Sequence, residues 1–324
     1  MKWLLVTTKG KNPGDEFIRI GVQKLIRVVD SKATFILIDK ENDAERKNTP
    51  QYDRAVWCGM PVFWSNGQNR CYRIKWWPFL LELGRRKEPA LIAGAGSFCH
   101  WTNDLQVSDI PTLQKKAEEV GSLYWKVYAR DSVVPQITNQ PFQVEICPAA
   151  FAVSSGLKKD FKLCNLMPLG SHYAEFGETE VKAWRGKVRK LSNILVKNGF
   201  LFVAHSKSEQ AFAKDLGWMN QNIVTYISGK PEDLASLYSR ARCFVGNRVH
   251  GAICSAAAGA EVLSVGFDSR QEAVRLLTRN IRLPSNLTED DVLCFASKKE
   301  YQGFFDISSH WDRQLKIFQE FGEL

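Results

Sequence analysis

Short runs of β-branched and aromatic residues alternate with stretches of helical spacing along almost the whole chain. Residues 3–7, 34–38, 55–58, 90–93, 123–128 and 144–147 read as strands. Strands that alternate with helical patterns in this way predict βαβ units and a parallel sheet covered on both faces. A polar segment rich in Gly and Lys, residues 154–162, breaks the rhythm and reads as a linker. The pattern then restarts, with strands expected over 163–167, 200–204, 223–227, 243–246 and 262–267. Helix starts are visible too: Ser206-Lys-Ser-Glu209 has the form of a capping box, and Pro231 suits a first helical turn. Near the end, Trp311, Leu315 and Phe318, with Ile317 and Phe321, repeat at helical spacing and predict a closing helix. The expected architecture is α/β, with two Rossmann-like, doubly wound domains. One covers residues 1–153 and the other residues 163–324, the closing helix counted with the second.

Composition narrows the class. At 324 residues the chain has room for two domains, and its 44% apolar content is ordinary for a globular protein. No apolar run approaches the roughly 20 residues of a membrane helix. The opening Met1-Lys2-Trp3-Leu4-Leu5-Val6 is shorter than a signal-peptide core and reads as a first strand. Eight scattered cysteines without a Cys-x-x-Cys pair imply reduced thiols and a cytoplasmic protein. The formal charge of +9 favours anionic ligands. Because there is no long basic block and no nucleic-acid motif, phosphorylated small molecules are favoured over nucleic acid.

Doubly wound sheets bind ligands at the carboxyl ends of their strands, so the candidate chemistry is sought there. The main candidate is Cys243-Phe-Val-Gly-Asn-Arg-Val-His-Gly-Ala-Ile-Cys-Ser-Ala-Ala-Ala-Gly259, a buried strand turning into a helix of small residues. Arg248 and His250 fall at the helix N-terminus, where free N–H groups and the helix dipole attract anions, and no acid lies between Asn247 and Ala260. The guanidinium offers a planar bidentate grip on phosphate or carboxylate, and the imidazole offers a proton that moves near neutral pH. The plain alternative is a capping histidine and a structural ion pair.

Other strand ends are more ambiguous. Asn12, Pro13, Gly14, Asp15 and Glu16 make a sound helix start with or without a ligand. Gly94, Gly96 and Ser97 fit either a tight turn or a ligand loop, and Arg130-Asp131 either a structural pair or a site. His205, just before the capped helix, fits a ligand contact or an ordinary turn. Arg70, Arg73, Lys75, Trp76 and Trp77 put cations beside aromatics, as a sugar-stacking or membrane-interface patch or as part of the core.

The Arg248-Val-His250-Gly251 turn resembles the signature of the polysaccharide pyruvyl transferases. Asn12-Pro-Gly-Asp-Glu16, Leu91-Ile-Ala-Gly-Ala-Gly-Ser97, Ala129-Arg-Asp-Ser132 and Phe267-Asp-Ser-Arg270 follow the order of that family's other segments. Arg270 departs from the family's usual Lys, and Cys147-Pro-Ala-Ala-Phe151 replaces an Asp-Pro-type segment. The resemblance implies a GT-B-like pair of domains facing a cleft. It also implies transfer of the pyruvyl group of phosphoenolpyruvate onto two hydroxyls of a sugar or glycan, giving a cyclic ketal and phosphate.

On that reading His250 is the candidate for proton transfer, and Arg248, Arg270 and Gly251 hold the donor in the second domain. Asp15 acts on the acceptor in the first, with Asn12, Gly14, Gly94, Gly96 and Ser97 beside it, and His205 is a further contact. No metal or cofactor is expected, and peripheral membrane contact follows if the acceptor is lipid-linked. Two alternatives share the scaffold. One is a GT-B glycosyltransferase using a nucleotide sugar, although the 248–260 segment lacks a ribose-binding carboxylate. The other is a non-catalytic carbohydrate- or phosphate-binding protein.

Overall fold

A computed structural model describes residues 1–66, 69–101, 105–106, 109–168, 177–227, 229–303 and 305–324, apart from the side chains of 65–66, 69–71, 100–101 and 105–106. The chain divides into two compact units. One comprises Met1–Cys99, Gln106–Ala152 and Ile307–Leu324, and the other is mainly Val153–Asp306.

In the first unit the main strands are β1 (Lys2–Thr7), β2 (Thr34–Asp39), β3 (Arg54–Cys58), β4 (Ala90–Phe98), β5 (Lys126–Ala129) and β6 (Gln143–Val144). They pair in the order β6-β5-β4-β3-β1-β2, always in parallel. Parallel neighbours need crossovers, and α1 (Pro13–Val29) supplies the first, burying Phe17, Ile18, Val22, Leu25 and Ile26. Winding runs one way from β1 to β2 and the other way from β3 outward. The loop ends of β1 and β3 therefore diverge and leave a crevice at their carboxyl ends.

The second unit contains β7 (Phe161–Asn165), β8 (Phe200–Ala204), β9 (Ile223–Thr225), β10 (Ala241–Gly246), β11 (Glu261–Val265) and β12 (Ile281–Arg282). Their order is β9-β8-β7-β10-β11-β12, again all parallel, which is the Rossmann order with its reversal between β7 and β10. Helices α2 (Glu178–Lys197), α3 (Lys207–Asp215), α4 (Pro231–Ser239) and α5 (Val249–Ala257) accompany the sheet. Cys164, Trp184, Leu191, Phe202, Val245 and Leu263 belong to one buried core.

Each of the eleven expected strands overlaps an observed one, although that over 144–147 does so only at Val144, the strand being Gln143–Val144. The one expected over 123–128 starts late, at Lys126, because the helix Ile110–Leu123 runs through its first residue. Among the described residues five strands escaped the sequence pattern: Pro61–Asn66, parallel to the outer half of β4, and the two-residue strands Asn69–Arg70, His100–Trp101, Leu105–Gln106 and β12. Seven cysteines among the described residues are free thiols, six of them buried.

The assignment of the closing helix is corrected. α6 (Ser308–Gly322) belongs to the first unit, not to a 163–324 domain. Its Phe321 ring lies 5.8 Å from Trp3 and 5.2 Å from Trp125, and Trp311 meets Phe151 edge-on at 5.0 Å. Buried Gln314 donates to the Ile146 carbonyl (2.7 Å) and accepts from the Tyr128 hydroxyl (3.0 Å). The aromatics of the first sheet are what the apolar stripe of α6 covers, and burying each such side chain is worth about 1.5–3 kcal/mol.

Candidate active site at the reversal of the second sheet

The tips of β7 and β10 are stitched together by amides. Asn247 Oδ1 accepts from the Met167 N–H at 2.8 Å, its Nδ2 donates to the Met167 carbonyl at 3.3 Å, and its own N–H reaches the Asn165 carbonyl at 3.0 Å. Gln271 donates to the Asn247 carbonyl (3.1 Å) and accepts from Ser264 Oγ (2.7 Å), which ties the turn after β11 to the same point. Arg248 is the N-cap residue of α5 and does not cap the helix with its side chain. The guanidinium turns instead to Glu209 Oε1, with 14% of the Arg248 side chain exposed and 3% of Glu209.

Glu209 was read as one half of a capping box. Ser206 Oγ does accept from the Glu209 N–H (3.2 Å), but the carboxylate passes over its own N-cap. Oε2 accepts from the His205 main-chain N–H at 2.9 Å and from Asn165 Nδ2 at 2.8 Å. Burial alone would raise this carboxyl, but the Arg248 charge, helped by its hydrogen bond and that of His205, holds it down at about 2. The absence of acids within 247–260 therefore does not leave Arg248 unopposed, because the acid comes from α3.

His205 is buried, 2.7 Å from the Tyr238 hydroxyl through Nε2. Burial pushes its pKa down to about 3, and the Arg248 charge adds to the shift. A buried ring bonded to Tyr238 in this way supports the strand tip, in keeping with the ordinary-turn alternative for His205. Gly251 has a packing role, since a Cβ there would come within 2.9 Å of both the Tyr238 hydroxyl and the Phe244 ring. His250 lies half-buried on the first turn of α5. Arg270, in the short turn Ser269–Gln271, forms a two-point pair with Asp268 (2.7 and 2.6 Å), so its charge is also answered.

In the first unit Asn12 caps α1, its Oδ1 accepting from the Gly14 N–H at 3.1 Å. Glu16 is bound to the Gly10 N–H (2.9 Å) and to Arg19 (2.5 Å). Asp15 is 6% exposed, and its carboxylate has no hydrogen bond or ion pair among the described residues. Gly94 adopts φ +77° where the β4–β5 register shifts, a conformation that favours glycine, and a Cβ there would sit 2.7 Å from Pro148. A Cβ on Gly96 would lie 2.5 Å from the guanidinium of buried Arg130. The Ser97 N–H donates to Asp131 (2.9 Å), whose other oxygen accepts from the Val134 N–H (3.1 Å). Burial raises the Asp131 carboxyl against the pull of the Ser97 N–H and Arg130. The glycines thus make room for Pro148 and Arg130, a reason internal to the fold. Trp76 and Trp77 are core residues, and the Arg70 side chain lies outside the described residues.

The sequence reading missed Glu209, Asn165, Asn247 and Tyr238. A polar residue ending an apolar strand, as in Leu163-Cys164-Asn165, was the available signal for one of them. Among the described residues no three His, Cys, Asp or Glu side chains converge as a metal site, and no helix is long and apolar enough to cross a membrane.

The family model for polysaccharide pyruvyl transferase matches residues 146–269. That match covers most of the second unit, Val153–Asp306, and is similarity over less than half of the chain. The matched segment takes in His205, Glu209, Arg248, His250 and Gly251, and stops one residue before Arg270. The Asn12–Glu16 and Gly94–Ser97 segments lie outside it.

No curated protein sequence matches the chain. Solved structures do resemble it as a whole. A putative UDP-N-acetylglucosamine 2-epimerase from Listeria monocytogenes aligns with a TM-score of 0.55 at 10% identity, covering 99% of this chain and 97% of its own. Staphylococcus aureus MnaA with UDP gives 0.55 at 10% identity (100% and 97%). The UDP-GlcNAc 2-epimerase of Methanocaldococcus jannaschii gives 0.52 at 12% identity (99% and 100%). At these identities the likeness is one of fold, the GT-B-like class of paired parallel-sheet units.

Proposed function

We propose that the protein transfers the pyruvyl group of phosphoenolpyruvate to a sugar or glycan. The observation that carries this reading is the Arg248–His250 helix start at the reversal of the second sheet, inside the segment that matches the pyruvyl transferase family. The donor brings a phosphate and a carboxylate, and a helix start without a side-chain cap, joined to a guanidinium, suits such an anion. A proton is added to the methylene carbon of the enol, the central carbon becomes electrophilic, and two sugar hydroxyls attack it in turn as phosphate leaves. One of the two hydroxyl protons balances the new methyl group and the other departs with phosphate.

His250 is the residue for proton transfer or for steadying the leaving phosphate. Asp15, with a carboxylate not engaged by the described residues, is the base for an acceptor hydroxyl. Arg270 serves the donor from its turn through the charge it shares with Asp268.

The direct test is incubation with phosphoenolpyruvate and a panel of sugars, nucleotide sugars, lipid-linked sugars and polysaccharides, read by mass spectrometry and by phosphate release. A ketal mass gain with equal phosphate is the expected result. Consumption of a nucleotide sugar without phosphoenolpyruvate would replace this reading with glycosyl transfer, and binding without turnover would leave a carbohydrate-binding protein.

A further inference from the structure

Glu209 has no part in the roles above, yet the reversal point of the second sheet is built around it. Three elements each bring a donor to its carboxylate: Asn165 at the end of β7, His205 at the end of β8, and Arg248 at the start of α5. The first two share Oε2, which leaves Oε1 to the guanidinium. A carboxylate in a capping box would return to its own N-cap N–H, in a largely solvated setting. This one is 3% exposed, and burying an acid is costly unless charge and hydrogen bonds compensate it. Its ionised state and the neutral state of His205 leave the Arg248–Glu209 pair formally uncharged before an anion arrives.

We propose that Glu209 is a positioning residue for the donor anion, holding the Arg248 guanidinium in one orientation at the strand tip. This rests on the reading of Arg248 as an anion grip. Two opposing consequences separate positioning from simple electrostatics. As a nearby negative charge, Glu209 should weaken anion binding, so removing it should tighten binding. As an anchor, it spares a long side chain part of the rotamer entropy it would otherwise lose on binding, so removing it should weaken binding.

Glu209→Gln removes the charge and the anchor together, so the sign of its effect shows which of the two is larger. Its amide oxygen can still accept from Asn165 and the His205 N–H, while its amide N–H₂ faces the guanidinium and cannot hold it. Glu209→Asp is the complementary change, keeping the charge but shortening the reach.

Calorimetric titration of the full-length protein with phosphoenolpyruvate, and separately with inorganic phosphate, gives the sign. Both affinities are expected to fall roughly tenfold in both variants, the size of one charged hydrogen bond. Unchanged or tighter binding in Glu209→Gln, with circular dichroism intact, overturns the proposal, as does wild-type binding in Glu209→Asp. If wild type binds phosphate but not phosphoenolpyruvate, the pyruvyl-transfer reading fails, and positioning is judged on phosphate. If it binds neither, both fall. Should the variants not fold, nitrogen-15 NMR of the wild-type arginine side chains decides, with Arg248→Lys identifying the signal. A slowly rotating guanidinium supports the anchor, and a freely averaging one removes it.

Discussion

Both units begin a helix just beyond the strand where the sheet order reverses, α1 after β1 and α5 after β10, yet the two helix starts carry opposite charge. At α1 the cap and the acids come from the same few residues: Asn12 closes the turn, and Asp15 and Glu16 answer the positive end of the helix. At α5 the first turn holds no acid, and the compensation arrives from Glu209, 39 residues away in sequence. The first helix start is locally neutralised and leaves one carboxylate, Asp15, without a partner among the described residues. The second is neutralised at a distance, by an acid that also ties two other strands. A largely neutral sugar fits the first kind of site and a multiply charged anion the second. That contrast is what the following substitutions test.

The largest effect is expected at His250. His250→Ala should keep the fold, because the residue is only half-buried on a helix's first turn, and should lower turnover by roughly 10²–10⁴, the range of general acid–base help. Phosphate release and circular dichroism read the two halves. Wild-type turnover would take the proton-transfer role away from the α5 helix start.

Arg248 comes next, and here the two arginines of the second unit should part company. Arg248→Ala leaves Glu209 buried without its cation, so it should both raise the KM for phosphoenolpyruvate and destabilise the protein, by about 3–5 kcal/mol if it behaves like other broken buried pairs. Arg270→Ala also leaves a buried acid, Asp268, but one still bound to the residue-270 N–H and paired through a side chain more exposed than that of Arg248 (21% against 14%). It should therefore raise KM with a smaller loss of stability, Arg270→Lys being milder still. Equal stability loss in the two Ala variants would show that the distant anchor is no different from the local one.

The same distinction explains what could be read in advance. The strands of both sheets were legible because parallel strands buried on two faces are written as uninterrupted apolar runs. The Asn12 cap and the Arg248–His250 helix start were legible because each is complete within a few residues. Glu209 looked like a capping acid because its true partners, Asn165 at a strand end and Arg248 at a helix start, come from distant parts of the chain. Gly94 and Gly96 fitted a tight turn or a ligand loop equally well because Pro148 and Arg130, which need the space, lie far along the chain. The closing helix was given to the wrong unit for the same reason, its Trp3 and Trp125 partners being distant from it in sequence.

The buried network should also make the second unit sensitive to acid in a defined window. His205 has an ordinary pKa of 6.5 and a folded value of about 3. The stability it contributes as a neutral ring is therefore complete above pH 6.5 and is lost as pH falls toward 3. Glu209, depressed from 4.5 to about 2, adds a loss of the same sign, but only below pH 4.5. Between pH 6.5 and 4.5, of these two groups only His205 contributes to the slope, and its share should approach about 1.4 kcal/mol per pH unit, the value for one proton. Urea unfolding across that window should show the slope in wild type and a shallower one in His205→Gln, whose amide can still meet the Tyr238 hydroxyl. Parallel curves would mean that His205 is not held neutral.

The smallest change is expected on the acidic side of the comparison, where an unchanged quantity is as informative as a changed one. Asp15 carries one of the two carboxylates in the first turn of α1. Its neighbour Glu16 is already bound to Arg19 and the Gly10 N–H and continues to answer the helix dipole if Asp15 is neutralised. Asp15→Asn should therefore fold normally. Losing a base or a charged acceptor for a sugar hydroxyl should slow transfer and raise the acceptor KM by roughly tenfold, the size of a hydrogen bond to a charged group. Affinity for phosphoenolpyruvate, measured calorimetrically without acceptor, should stay as in wild type, because the proposed donor grip belongs to the other sheet. A large loss of donor affinity with the acceptor KM untouched would reverse the assignment of the two helix starts. The unpartnered carboxylate would then serve the donor, and the distantly neutralised arginine the sugar.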